Sequence, residues 1–272
     1  MRADTSSAAT VERYRQLSIE YFEHFEHIKD AEPARTYSLS VDATKSGDAL
    51  TRALALNGNT INATWATGEK VYVYAPYSTT VFWFEGNLEA KSAGTTTQLN
   101  GAISLPTGWE GTVDSYVSYP YNFTLQFPHP GNLNYSGQKG TLTDIAENYD
   151  YAIATNVQFE VKNNYIKAIN SATFVNQQAI VKFTLVEKNN ETNVLSPLML
   201  TINYGSDNIS LTSIPDATYS TNGAGVLYVA IPGFSGNITL SATCADGTYT
   251  KTTATTFQNG EYYDITVKMT KQ

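Results

Sequence analysis

LTRALALNGNTINATWATGEKVYVY, residues 50–74, is the stretch on which the fold turns. Leu54 and Leu56 share one parity, Asn57-Gly58 offers the positive-φ dipeptide of a tight hairpin, and Ile61, Ala63 and Trp65 alternate with Asn62 and Thr64. A polar step through Gly68-Glu69 then leads into Val71-Tyr72-Val73-Tyr74. That last run is apolar at every position, so it is expected to be covered on both faces. The pattern predicts two strands joined by a turn, followed by a third.

Working outward, Tyr37, Leu39 and Val41 alternate with Ser38 and Ser40 and open the first strand of the body. Ala43 to Ala49 (ATKSGDA) reads as a polar loop. Downstream, Val81-Phe-Trp83-Phe84 reads as a buried strand, and Gln98–Leu105 and Thr112–Tyr119 as further strands. Phe123, Leu125 and Phe127 alternate with Asn122, Thr124 and Gln126 before Pro128-His129-Pro130. Residues 131–150 form a long polar excursion. The block from Ala172 to Leu185 reads as the entry to a second body with a boundary near Asn170, and Asn176, Gln177 and Gln178 are placed to bridge the two. Short strands separated by turn signals continue to Tyr263, Ile265, Val267 and Met269, the pattern of an all-β sandwich.

The first thirty residues differ. Val11, Tyr14, Leu17, Tyr21, Phe25 and Ile28 recur three or four apart, with Ser7 or Thr10 as N-cap, which predicts an amphipathic helix ending before Pro33. It reads as an extension dispensable for the sandwich, with a docking helix as the other reading.

Composition narrows the function. Charged residues make up 15% of the chain while tyrosine reaches 19 and glycine 18, which favours strands and turns. A net charge of -8 disfavours nucleic acid as a partner, since no basic stripe is available for phosphates. The single cysteine, Cys244, allows no internal disulfide and reads as a buried small hydrophobe in phase with Ile238, Leu240 and Ala242. His24 and His27 lack a third ligand and the spacing that zinc requires, so no metal site is expected. His129 between two prolines reads as a turn residue. No histidine offers a nucleophile–base pair, and Glu85, Glu110 and Asp114 carry no spacing signal for glycoside hydrolysis. Neither catalytic nor cofactor-binding residues are expected, and the chain is read as no enzyme. Among the aromatic residues, Trp109 between Gly108 and Glu110 is the ring most open to stacking on a sugar, whereas Trp83 reads as core.

The fragments TRAL (residues 51–54), ATW (63–65) and GEKVYVY (68–74), then Asp150-Tyr151 leading into a strand, and last Asn259-Gly-Glu-Tyr-Tyr-Asp-Ile-Thr-Val-Lys-Met-Thr270, together resemble the fimbrillin-like pilin family. These are surface β-sandwich proteins of anaerobic Gram-negative bacteria. The resemblance covers residues 37–272. It implies an all-β fold of two tandem Greek-key, transthyretin-like β-sandwich domains, 35–169 and 170–272, after a helical extension and linker, 1–34.

It also implies a structural role as a fimbrial (pilus) subunit or surface adhesin at the outer membrane. In polymerising members a trypsin-like protease cuts after an arginine in an early loop, the first strand leaves, and a neighbour's strand fills the groove. Arg52 is the counterpart by motif, with Arg35 and Lys45 also within reach of such a protease. Tyr37, Leu39 and Val41 would be the displaced side chains. Partners would be other pilin subunits or surface ligands, with membrane attachment only through a lipid anchor not visible in the chain. No acylated cysteine lies near the start, so the leader is expected to be absent here or the N-terminus not to be the native one. The chain stops at Gln272 directly after its last strand. No long C-terminal donor tail is therefore expected, which leaves room for a tip, anchor or non-polymerising role. A glycan-binding surface lipoprotein, using Trp109, is the alternative reading.

Overall fold

The computed structural model describes residues 35–45, 55–57, 60–62, 64–76, 82–105, 121–127, 133–162 and 165–272. The N-terminal helix, its histidines, Arg52, Trp109, Glu110, Asp114, His129 and the strand expected at 112–119 lie outside these residues. The side chains of Trp83 and Glu85 are likewise outside the description. Within it the protein is all-β, with eighteen strands and two short helices.

The first sheet contains β1 (Arg35–Lys45), β4 (Lys70–Pro76), β5 (Phe82–Ala90), β6 (Thr96–Leu105), β7 (Tyr121–Phe127), β8 (Ala152–Lys162), β9 (Tyr165–Ala168) and β10 (Ala172–Asn176). Its order is β10-β1-β6-β5-β4-β7-β8-β9, and β10 also pairs with β8, so the sheet bends round and closes on itself. The β10 pairings with β1 and β8 cover part of the borders that would otherwise pair with other chains. Inside lie Leu39, Val41, Trp65, Val71, Val73, Leu88, Leu99, Phe123, Leu125, Phe159 and Phe174.

The organising stretch folds largely as its pattern dictates, with two differences. β2 (Ala55–Asn57) and β3 (Thr60–Asn62) form a separate antiparallel hairpin in which Asn57 pairs with Thr60. Asn57 therefore belongs to the ladder rather than to the turn. In β4, Val71 and Val73 are fully buried while Tyr72 and Tyr74 are half-buried, so only one face is covered. The two rings lie against each other, centroids 5.6 Å apart, and the Tyr74 hydroxyl reaches Gln126 at 3.3 Å. Tyrosine satisfies both readings of the pattern because its ring packs while its hydroxyl stays polar.

The second sheet contains β11 (Gln178–Glu187), β12 (Asn190–Val194), β13 (Met199–Tyr204), β14 (Asp207–Leu211), β15 (Val226–Pro232), β16 (Phe234–Cys244), β17 (Gly247–Phe257) and β18 (Tyr262–Lys271). Its order is β12-β11-β18-β17-β16-β13-β14, with β15 also on β11. Ile180, Phe183, Leu200, Ile202, Leu227, Val229, Leu240 and Met269 fill its core. Cys244 ends β16 half-buried at the rim, where burial and the Asp246 carboxylate push its thiol up.

Residues 133–151 are more than a polar excursion. They hold helix α1 (Leu142–Asn148) and contribute Tyr135, Ile145 and Tyr151 to the second core. The helix starts because Thr141 accepts the Asp144 N–H at 3.1 Å, and Asp144 in turn accepts the Lys139 N–H at 2.7 Å. A second helix, α2 (Asp216–Asn222), precedes β15. The chain passes from one sheet to the other at Gln177, between β10 and β11. There Gln178, fully buried, accepts the Tyr151 N–H at 3.1 Å and donates to Asp150 at 3.1 Å. These bonds tie the start of β11 to Asp150-Tyr151, just ahead of β8. The Gln177 amide turns back to the Val175 carbonyl, while its backbone N–H reaches Tyr151.

Candidate functional site: the first strand and the groove it fills

Strand β1 alternates inward and outward without a break. Tyr37, Leu39, Val41 and Ala43 are buried, whereas Thr36, Ser38, Ser40 and Asp42 are exposed. Each of the larger apolar side chains gains ~1.5–3 kcal/mol from burial. The strand runs antiparallel to β6 from Arg35↔Leu105 to Thr44↔Thr96, and parallel to β10 over Ala43–Lys45. Upstream of that short parallel ladder, β9 lies beside β1, and an open cleft of about 440 Å³ is lined by Ser38, Leu39, Ser40, Asn100, Ile166 and Lys167.

The strand continues past the loop expected at residue 43. Ala43 and Lys45 keep the inward parity, and the backbone N–H of Lys45 bonds to the Thr95 carbonyl at 3.0 Å. Lys45 is only 1% exposed, so a basic-specific protease finds no site there. Its ammonium lies 3.1 Å from the Glu69 carboxylate and 3.5 Å from the Thr64 carbonyl. The rings of Trp65 and Phe127 flank it, with centroids at 4.4 and 4.1 Å. Cation–π attraction of this kind is strongest where water is excluded.

The walls of this cage are fixed independently of β1. Glu69 accepts the Ala66 N–H at 3.1 Å, and Trp65 exchanges two backbone hydrogen bonds with Gly94, at 2.8 and 3.1 Å. The Trp65 ring meets Phe174 edge-on at 5.0 Å and Phe127 at 6.5 Å, while its Nε1 is buried without a hydrogen-bond partner. Sequence reasoning placed Tyr37, Leu39 and Val41 on one face and missed Lys45 and Glu69. The available signal was that Lys45 keeps the parity of the inward residues.

A larger open cleft, about 700 Å³, lies on the other body and is lined by Asn134, Gln177, Tyr204, Asn208, Phe234 and Asn259 among others. Tyr204 and Phe234 meet edge-on at 5.5 Å, and Asn259 accepts the Gly233 N–H at 2.7 Å. Among the described residues, no three of His, Cys, Asp and Glu come together as a metal site, and no helix is long and apolar enough to cross a membrane.

The chain is thus an all-β protein whose first strand is a core component of a closed sheet. No protein-family model and no curated protein matches it. Among solved structures it is similar to a fimbrial protein from Bacteroides ovatus at 11% identity and a TM-score of 0.39, covering 88% of this chain and 50% of that one. It is also similar to a fimbrial assembly protein from Parabacteroides distasonis, at 11% identity and a TM-score of 0.41, covering 86% and 91%. A tip fimbrial protein from Porphyromonas gingivalis, truncated at its C-terminus, matches at 7% identity and a TM-score of 0.33, covering 86% and 95%. The chain spans half the length of the first of these. These proteins are of the kind that the sequence motifs resemble.

Proposed function

We propose that the protein is a fimbrial subunit or surface adhesin in which β1 is a removable plug. It would act at the cell surface with other subunits as partners. In this reading the two sheets are tandem Greek-key sandwiches that meet at Gln177 rather than near Asn170, because β10 belongs to the first, and 1–34 is an extension outside both. The observation that carries the proposal is the construction of β1. It inserts Tyr37, Leu39, Val41 and Ala43 into the first core, and Arg52 follows it by only a few residues of sequence.

A cut after Arg52 would leave β1 held by noncovalent contacts alone. Its departure would expose the β6 edge and an apolar slot, and an extended segment from a neighbour could satisfy both at once. The test is to treat the intact chain with a trypsin-like protease. The expected product begins at Ala53, lacks β1 and forms a ladder of multimers, while Arg52→Gln keeps β1 and stays monomeric. A cleanly cut protein that remains monomeric would sink the proposal.

A further inference from the structure

The ammonium cage at the end of β1 divides unequally between strand and groove. The ammonium belongs to β1, through Lys45. Its contacts among the described residues belong to positions that stay behind when β1 leaves: Glu69, the Thr64 carbonyl, Trp65 and Phe127. The Glu69 carboxylate is aimed by its own hydrogen bond from Ala66, and Trp65 is held by Gly94. The cage therefore keeps its reason to exist without the strand. Left empty, it would present a carboxylate with a side chain 3% exposed and no counter-charge, which is among the costlier arrangements in a protein interior.

We propose that Glu69, Trp65 and Phe127 form a socket for a primary ammonium group, and that this socket selects a lysine on whichever extended strand fills the groove. The consequence for strand exchange rests on the groove reading given above; the binding of the ammonium does not. Apolar alternation alone is a loose criterion, because a slide of two residues keeps every side chain on its own face. A charged socket at one end admits only strands that place an amine there. The fit is to a compact ammonium, between two oxygens at 3.1 and 3.5 Å and two rings near 4 Å, whereas a guanidinium is a wide planar fork.

Lys45→Ala in the full chain removes the part of the side chain that n-propylammonium reproduces. Titrating that cation should raise the denaturation midpoint of the variant saturably, with a response roughly tenfold stronger than to propan-1-ol or propylguanidinium. Lys45→Ala/Glu69→Gln should lose the effect. Equal responses to all three additives, or none, would overturn the socket.

If Lys45→Ala fails to fold in any additive, hydrogen exchange on two other variants decides. Lys45→Met/Glu69→Gln carries no buried charge and keeps the acceptor for Ala66, so its β1 amides should stay protected. Lys45→Arg should exchange them roughly tenfold faster. Wild-type protection in Lys45→Arg would count against selection of an ammonium. On protease-cut protein, a labelled peptide of residues 36–45 should bind, and its norleucine analogue at Lys45 should not. Equal binding of both sinks the socket. Binding of neither sinks the exchange reading alone and leaves the propylammonium titration to judge the socket.

Discussion

Gly101 pairs with Leu39 of β1 on one side and with Leu88 of β5 on the other. A Cβ at Gly101 would run into the carbonyl oxygen of Asn87 and lie 2.9 Å from the Leu88 Cα. Both obstacles are backbone, so neither can swing aside. Gly101→Ala should therefore cost ~3 kcal/mol, the upper end of the overpacking range, read from the urea midpoint at unchanged slope. A loss within the ~0.5 kcal/mol typical of surface changes would show that the two strands can part there. At this scale the sequence is legible where parity decides. Tyr37, Leu39 and Val41 lie on the inward face as their spacing says. Lys45 escaped because a lysine among Thr, Ser, Gly and Asp resembles a solvated loop. Its partner Glu69 is remote in sequence and nothing local links the two, so their pairing becomes visible only in the folded sheet.

Among the elements, residues 133–151 are the least legible, because several of their polar side chains are buried and bond to backbone. Gln138, fully buried, donates to the carbonyls of Tyr135 and Ala230 at 2.6 and 2.8 Å and accepts the Ala230 N–H at 2.7 Å. Three tyrosines close the segment with hydroxyls that donate to carbonyls: Tyr135 to Gln177 at 2.7 Å, Tyr149 to Ser136 at 3.1 Å and Tyr151 to Asn134 at 2.7 Å. Burial holds all three above the ordinary tyrosine value of 10.0. In the unfolded chain they would ionise near that ordinary value. Their contribution is thus intact below pH 10 and is lost as pH climbs from there through the raised folded values. Tyrosinate absorbance and limited proteolysis, followed together, should show residues 133–151 becoming cleavable above pH 10 in step with ionisation beyond that of the exposed tyrosines. Ionisation of every tyrosine near pH 10, with the segment still resistant, would refute this role for the three hydroxyls. The short β2–β3 hairpin was legible in kind but not in register, since Asn-Gly marks a turn without fixing which two residues stand outside the ladder.

For the whole molecule, chain order and packing order disagree at one place. Residues 133–151 lie in sequence between β7 and β8 of the first sheet, yet Tyr135, Ile145 and Tyr151 sit in the second core. β8 returns to the first sheet at Ala152, and β10, beyond the boundary expected near Asn170, stays in it, burying Ala172 and Phe174 there. Periodicity reveals that a strand has a buried face but not which core receives it, so this exchange could not be read from the sequence. It has an energetic consequence. The segment's anchors run to the second body: Gly137 N–H to the Ser210 carbonyl at 2.7 Å, Tyr228 N–H to the Gly140 carbonyl at 2.9 Å, and Thr218 to the Lys139 carbonyl at 3.0 Å. Leu39→Ala, a cavity in the first core, should cost ~2–5 kcal/mol and unfold the first sheet at lower denaturant. Under those conditions the amides of 133–151 should exchange with β11 and β15, not with the β7 and β8 strands that flank them in sequence. Hydrogen exchange at intermediate denaturant reads this directly. If 133–151 opens together with β7 and β8, the segment is held by its chain neighbours, and its contacts with the second core contribute little to its stability.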